Sequence, residues 1–241
     1  RPEGSRAGAQ PARADHDLEA GKVHGTGCAE IVYDMAPDAQ LHLVNSGTDV
    51  EFLSAVDYAR AQNVDIVSCS IGWPLGGPGD GSYLPNSVSW RVARSSSEGI
   101  LWINAAGNRA LRHWMGPWSD FDSDGDLEYW GTDDSDNIVT TSSPELIRVA
   151  MRWQEPWGSA TADFELGIFD SASNKVAWTQ TAATAPGDPT RFLSYLAGPA
   201  GSYEIVVIRH DGGASTPLIE LFTYDQDLEY ATAASSLVVP A

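Results

Sequence analysis

Apolar residues recur along this chain with two different periods, and the change from one to the other falls near residue 144. In the first part the spacing is helical or the run is wholly apolar. Cys28, Ile31, Val32 and Met35 stand at i, i+3, i+4 and i+7, one face of a helix that opens near His24. Pro37 ends it, because proline cannot donate to the preceding turn. Residues 40–45 read as a short strand. Thr48-Asp49-Val50-Glu51 is a capping box, in which a hydroxyl and a carboxylate satisfy each other's orphan amides. It opens a helix to about Gln62 that carries Phe52, Leu53 and Val56. Residues 63–68 and 100–103 are apolar runs suited to burial on both faces of a parallel sheet. Between them lie a Gly- and Pro-rich loop at 71–82 and a helix capped by Asn86 that runs to Glu98 and stops at Gly99. Strand–helix alternation at this spacing predicts βαβ units and an α/β fold with a mostly parallel sheet.

From residue 145 the helical signals vanish. Segments 146–153, 163–169, 174–180, 191–196, 203–209 and 217–223 read as strands. Turn clusters such as Ala185-Pro186-Gly187-Asp188-Pro189 and Asp211-Gly212-Gly213 separate them. Short strands at regular spacing predict an antiparallel β-sandwich, jelly-roll-like in character. The expected organisation is a flexible N-terminal segment at 1–22 and a partial α/β domain at 23–144 with an acidic loop at 120–136. An inserted sandwich at 145–230 and a return strand at 231–241 complete it.

Composition narrows the partners. Lys+Arg of 14 against Asp+Glu of 33 gives a net charge of −19, and only Lys22 and Lys175 are lysines. Such a surface repels phosphate backbones and anionic lipid, which argues against nucleic-acid and membrane-surface roles. No apolar run approaches the ~18–20 residues of a membrane span. Residues 1–20 lack the apolar stretch of a signal peptide, as a mature chain would, and a secreted or extracellular protein fits the charge. Two cysteines cannot staple a domain of this size; two buried thiols are expected at Cys28 and Cys69, with a single bond between them as the alternative.

Residues 120–136 hold eight acidic side chains in seventeen positions. Asp120, Asp122 and Asp124 at positions 1, 3 and 5, with Gly125 at 6, copy the start of a calcium loop. Asp126 and Glu128 would add oxygen ligands, although position 12 is Gly131, where the motif wants a bidentate Glu. The alternative is a solvated acidic loop, but carboxylates crowded without a local cation repel one another, and Ca2+ is the expected counter-ion. Trp114, Trp118, Trp130, Trp153, Trp157 and Trp178 read as sandwich core and rim, the alternative being a carbohydrate platform.

Two short segments carry the chemistry. His24-Gly25-Thr26-Gly27-Cys28-Ala29 places a histidine at a helix start among small residues, either a capping histidine or a general base against which another segment packs. Asn104-Ala105-Ala106-Gly107-Asn108 follows an apolar strand, either as a plain turn or as an oxyanion-binding one. The first, followed by Ala36-Pro37-Asp38-Ala39, resembles the segment around the catalytic histidine of the subtilases, subtilisin-like serine proteases; cysteine at the Cys28 position also occurs in proteinase K-like relatives. Asp65-Ile66-Val67-Ser68-Cys69-Ser70-Ile71-Gly72 resembles the strand and Ser-Leu-Gly turn lining the subtilase cleft, and residues 104–108 resemble the oxyanion-hole segment. The resemblance covers roughly residues 22–110. It implies a three-layer subtilisin-like sheet and peptide-bond hydrolysis on a polypeptide substrate. His24 would be the general acid/base and Asn108 an oxyanion donor, with Ser70, Gly72, Ala106 and Gly107 lining the cleft.

The chain departs from that pattern in two places. A subtilase carries its orienting Asp at the end of a buried strand upstream of the histidine. Here Asp15 and Asp17 lie in a polar, strandless stretch. The family nucleophile sits in Gly-Thr-Ser, whereas Gly47-Thr48 and Gly131-Thr132 are each followed by Asp. Ser235-Ser236-Leu237-Val238-Val239-Pro240 resembles the point where a subtilase chain re-enters its sheet, so the expectation is a fragment with its serine segment beyond Ala241, inactive alone. A non-catalytic pseudoprotease, or a module binding carbohydrate or protein through the sandwich, is the alternative.

Overall fold

The computed structural model describes residues 24–129, 131–179, 187–198 and 200–232. The segment expected to be flexible at 1–22, with Asp15 and Asp17, lies outside the described residues. So do Trp130 and nearly all of the expected return strand. The chain divides into two units, 1–58 and 59–241.

In the first unit, helix α1 (His24–Met35) forms where the spacing predicts it, but none of its residues is buried. Ile31 and Met35 are 68% and 83% exposed, so the face expected to pack is turned to solvent. Residues 40–45 are not a strand: no neighbouring strand among the described residues supplies ladder hydrogen bonds. Helix α2 (Asp49–Ala61) starts at the predicted box: Glu51 N–H donates to Thr48 Oγ1 at 3.2 Å and Thr48 N–H to Glu51 Oε2 at 3.0 Å.

The second unit begins with a βαβ unit. Strands β1 (Ile66–Cys69) and β2 (Leu101–Asn104) are parallel, and helix α3 (Val88–Ser97) connects them. Ser87, not Asn86, caps α3, accepting from the Trp90 amide at 3.3 Å, while Asn86 takes a left-handed φ of 74°. Gly99 at φ 106° lets the chain leave the helix as expected. The Trp102 indole donates to Ser95 Oγ at 2.6 Å and ties β2 to α3. The predicted burial of both strand faces is not found: Ile66, Leu101 and Ile103 are 57%, 55% and 52% exposed. Among the described residues this sheet has two strands, too few to cover its apolar positions.

Among the described residues, eight strands then form two antiparallel four-stranded sheets. They are β3 (His113–Pro117), β4 (Asn137–Thr141), β5 (Glu145–Trp153), β6 (Phe164–Asp170), β7 (Lys175–Trp178), β8 (Thr190–Ala197), β9 (Gly201–Arg209) and β10 (Leu218–Thr223). One sheet has the order β3-β10-β5-β8 and the other β4-β9-β6-β7. The strands of these two sheets therefore begin at His113, ahead of the boundary drawn at residue 144. Alternating residues point inward: Ile147, Val149 and Met151 of β5, with Ile219 and Leu221 of β10, meet Leu166 and Ile168 of β6 and Ile205 and Val207 of β9 in one fully buried core. Each such side chain contributes roughly 1.5–3 kcal/mol over its exposed state. Trp114, Trp118 and Trp153 belong to this core, whereas Trp178 is 53% exposed.

Candidate functional site

Parallel pairing puts the carboxyl ends of β1 and β2 side by side. Cys69 is the register partner of Asn104, and the Ala105 amide extends the ladder by donating to the Cys69 carbonyl at 2.9 Å. The residues leaving these two ends are Ser70, Ile71 and Gly72 on one side and Ala105, Ala106, Gly107 and Asn108 on the other. Crevices at the carboxyl ends of parallel strands are where open α/β sheets hold ligands. Four predicted cleft residues, Ser70, Gly72, Ala106 and Gly107, thus share one end of the sheet with Asn108.

Local chemistry explains the form of this end. Gly107 has φ 88°, a left-handed conformation that a side chain would strain. It turns the chain so that Asn108 is exposed, its carboxamide free of protein partners among the described residues. Below it, Cys69 is buried and donates to the Ile71 carbonyl at 3.5 Å; burial pushes its thiol up, which keeps it protonated and inert. Neither cysteine forms a disulfide; Cys28 is half-buried, not fully buried as expected.

His24 belongs to the first unit. It is the first residue of α1 and exposed, with Nε2 3.9 Å from Cys28 Sγ one turn on. No strand-borne carboxylate orients it among the described residues.

The acidic loop lies at the sandwich. Leu127 N–H donates to the Val207 carbonyl and Arg209 N–H to the Gly125 carbonyl, both at 2.8 Å, so the loop is laced to β9. Asp120, Asp122 and Asp124 each present an oxygen within 4.8 Å of the others. Asp124 N–H donates to Asp122 Oδ1 at 3.2 Å and Asp126 N–H to Asp124 Oδ1 at 2.9 Å, while Gly125 at φ 92° makes the sharp turn. Burial, then the charges of Asp124, Asp120 and Asp122, pushes Asp126 up to about 6. Glu128 is buried and accepts from the Phe121 and Asp122 amides, so its carboxylate holds the loop together.

Sequence reasoning missed the residues that join these turns to the sandwich. Arg109, directly after Asn108, reaches the end of β10; its NH1 donates to the Thr223 carbonyl at 2.6 Å and its guanidinium lies 4.6 Å from the Tyr224 ring centroid. Arg112 donates to Asp227 at 3.0 Å. The contacts span more than a hundred residues, and no local pattern announces them.

The family model described as the subtilase family matches residues 7–153. Among solved structures the chain is similar to the CspB protease of Clostridium perfringens, with 11% identity and a TM-score of 0.55. That match covers 81% of this chain and 45% of the other, so this chain spans less than half of that protein. At such identity the likeness is one of fold. No curated protein matches the chain.

Proposed function

The chain belongs to the subtilase family, and on that premise we propose that it carries the oxyanion and substrate-binding end of a serine endopeptidase. One observation carries this: the 70–72 and 105–108 segments leave adjacent parallel strands at the same end, with Cys69 and Asn104 in register. The Asn108 carboxamide donates to the oxyanion of the tetrahedral intermediate, a role whose loss typically costs about 10²–10³ in turnover. Ser70, Gly72, Ala106 and Gly107 line the groove for an extended polypeptide, held chiefly by main-chain hydrogen bonds. His24 takes the nucleophile's proton and returns it to the leaving amine. The full three-layer arrangement is part of this reading.

The 241 residues contain no Gly-Thr-Ser segment, and base and nucleophile act as a unit, so this chain by itself is inactive. Assay of the complete encoded polypeptide with a fluorogenic peptide tests the proposal. Hydrolysis, with kcat lowered about 10²–10³ by Asn108→Ala, is expected. Absence of both hydrolysis and serine labelling by a fluorophosphonate would favour a pseudoprotease instead.

For the sandwich, the strand order β3-β10-β5-β8 facing β4-β9-β6-β7 supports a jelly roll. Exposed Trp178 is the observation that favours carbohydrate binding there; glycan binding lost in Trp178→Ala would establish it. The acidic loop is read as a calcium site, with Asp120, Asp122 and Asp124 as ligands and Asp126 close by. Oxygen-only donors suit this hard cation, and the positive φ of Gly125 gives the required turn. Glu128, expected as a ligand, is better read as the loop's internal brace.

A further inference from the structure

The turn that bears Asn108 is fastened at both ends, and the two fastenings differ. On the amino side the Ala105 amide is held by the Cys69 carbonyl, part of the α/β sheet. On the carboxyl side the anchor is Arg109, which reaches the end of β10. Its NH1 donates to the Thr223 carbonyl at 2.6 Å, and its guanidinium packs over the Tyr224 ring at 4.6 Å. Tyr224 is itself fixed. The Arg148 guanidinium lies 4.8 Å from the same ring centroid and is paired with Asp225 at 2.5 Å. Phe192 meets the ring edge-on at 6.0 Å. Arg112 closes the arrangement: its carbonyl accepts from the Thr223 amide at 2.9 Å, and its NH1 donates to the Tyr224 carbonyl at 3.2 Å.

Between these anchors stand Ala106, Gly107 and Asn108, all exposed and in no regular element. A donor to a developing oxyanion works only if it is held in place before the charge appears. Misplacement by about 1 Å can cost on the order of 10²-fold in rate. We propose that Tyr224, with the Thr223 carbonyl, positions the Asn108 carboxamide by clamping Arg109, so that the sandwich sets the geometry of the oxyanion site. This rests on the reading of Asn108 as an oxyanion donor. Tyr224 is a positioning residue: it touches Arg109, not substrate.

Two measurements test the clamp separately from the protease reading. In this chain, hydrogen exchange of the Ala105 and Arg112 amides, bonded to the Cys69 and Arg109 carbonyls on either side of the turn, is compared with that of buried Leu221. Tyr224→Leu and Arg109→Met are expected to speed exchange at 105 and 112 about tenfold while Leu221 is unchanged, and Tyr224→Phe, which keeps the ring face, is expected to behave as wild type. Unchanged exchange at 105 and 112 in both variants overturns the proposal. In the complete encoded polypeptide, Tyr224→Leu is expected to lower kcat about tenfold with KM unaltered, and to have no further effect in an Asn108→Ala background. Equal losses with and without Asn108 would overturn the coupling. If the wild type hydrolyses nothing, the protease reading fails and the exchange measurement still decides the clamp.

Discussion

The Tyr83 phenol donates a hydrogen bond to the Asp188 carboxylate and so fastens the loop that follows Ser70 and Gly72 to the sandwich. The same Asp188 oxygen accepts the Gly158 amide at 3.1 Å, and the Tyr83 ring lies 5.2 Å from that of Trp157. The bond to Asp188, more than burial, pushes the Tyr83 phenol up to about 12. Like Arg109 on Tyr224, this is a place where the α/β end of the second unit leans on the sandwich.

Tyr83→Phe keeps the ring contact and removes the hydroxyl. The site is partly solvated, so the expected cost is about 1 kcal/mol or less, a thermal midpoint lower by roughly 2–4 °C. Proteolysis or hydrogen exchange should find residues 77–84 opened more than the sandwich core. An unchanged 77–84 loop would show that the contact holds nothing.

The sandwich strands from 145 onward were legible because apolar residues alternate along strands such as β5 and turn clusters separate them. The burial of β5 alternates around Ile147, Val149 and Met151, as its sequence does. Strands β3 and β4 were not, since His113–Pro117 includes Gly116 and Pro117 and Asn137–Thr141 follows the acidic run. The reverse holds at 40–45, whose apolar alternation suits a strand but which finds no partner among the described residues. The turns at 70–72 and 105–108 were legible as turns because each follows a readable strand. Arg109 on Tyr224 and Tyr83 on Asp188 were not, because contacts closed only by tertiary folding leave no local spacing behind.

Calcium is expected to raise the thermal midpoint of the chain, and excess chelator to lower it. Asp120→Asn with Asp122→Asn should abolish the calcium response while leaving the metal-free midpoint unchanged or higher, because it relieves carboxylate repulsion. A calcium response that survives this double substitution would move the site elsewhere. No response in the wild type would leave a solvated acidic loop.

His113 is 3% exposed, and neither ring nitrogen has a partner among the described residues. Its ring lies 4.8 Å from Phe222. Burial is the main cause that lowers its pKa, opposed by Glu220 and reinforced by Arg152. The folded state therefore binds the proton less readily than the unfolded one. Stability from this group is fully present above the unfolded value of about 6.5 and falls as pH drops below it, by up to about 1.4 kcal/mol per pH unit. His113→Phe keeps the ring packing and cannot titrate. Its advantage over wild type is expected to widen between pH 7 and pH 5, read as the difference in thermal midpoints. A constant difference would show that the ring reaches solvent before it charges.

Asp136 titrates with the opposite sign. Burial first, then the charges of Asp134, Glu204 and Glu229, pushes its carboxyl up to about 6, and Asp134 is itself occupied, accepting from the Tyr230 hydroxyl at 2.5 Å. The folded state holds the proton more tightly than the unfolded chain, whose Asp titrates near 3.9. Its contribution is thus present below the unfolded value and lost as pH rises through about 6, so at pH 8 the ionised group opposes folding. Asp136→Asn keeps the shape and removes the charge. It should raise the thermal midpoint at pH 8 and change little at pH 4, where the wild-type carboxyl is already protonated in the fold. High salt should shrink the gain at pH 8, because part of the repulsion comes from partly exposed neighbours. A variant equally stabilised at both pH values would trace the effect to packing instead of charge.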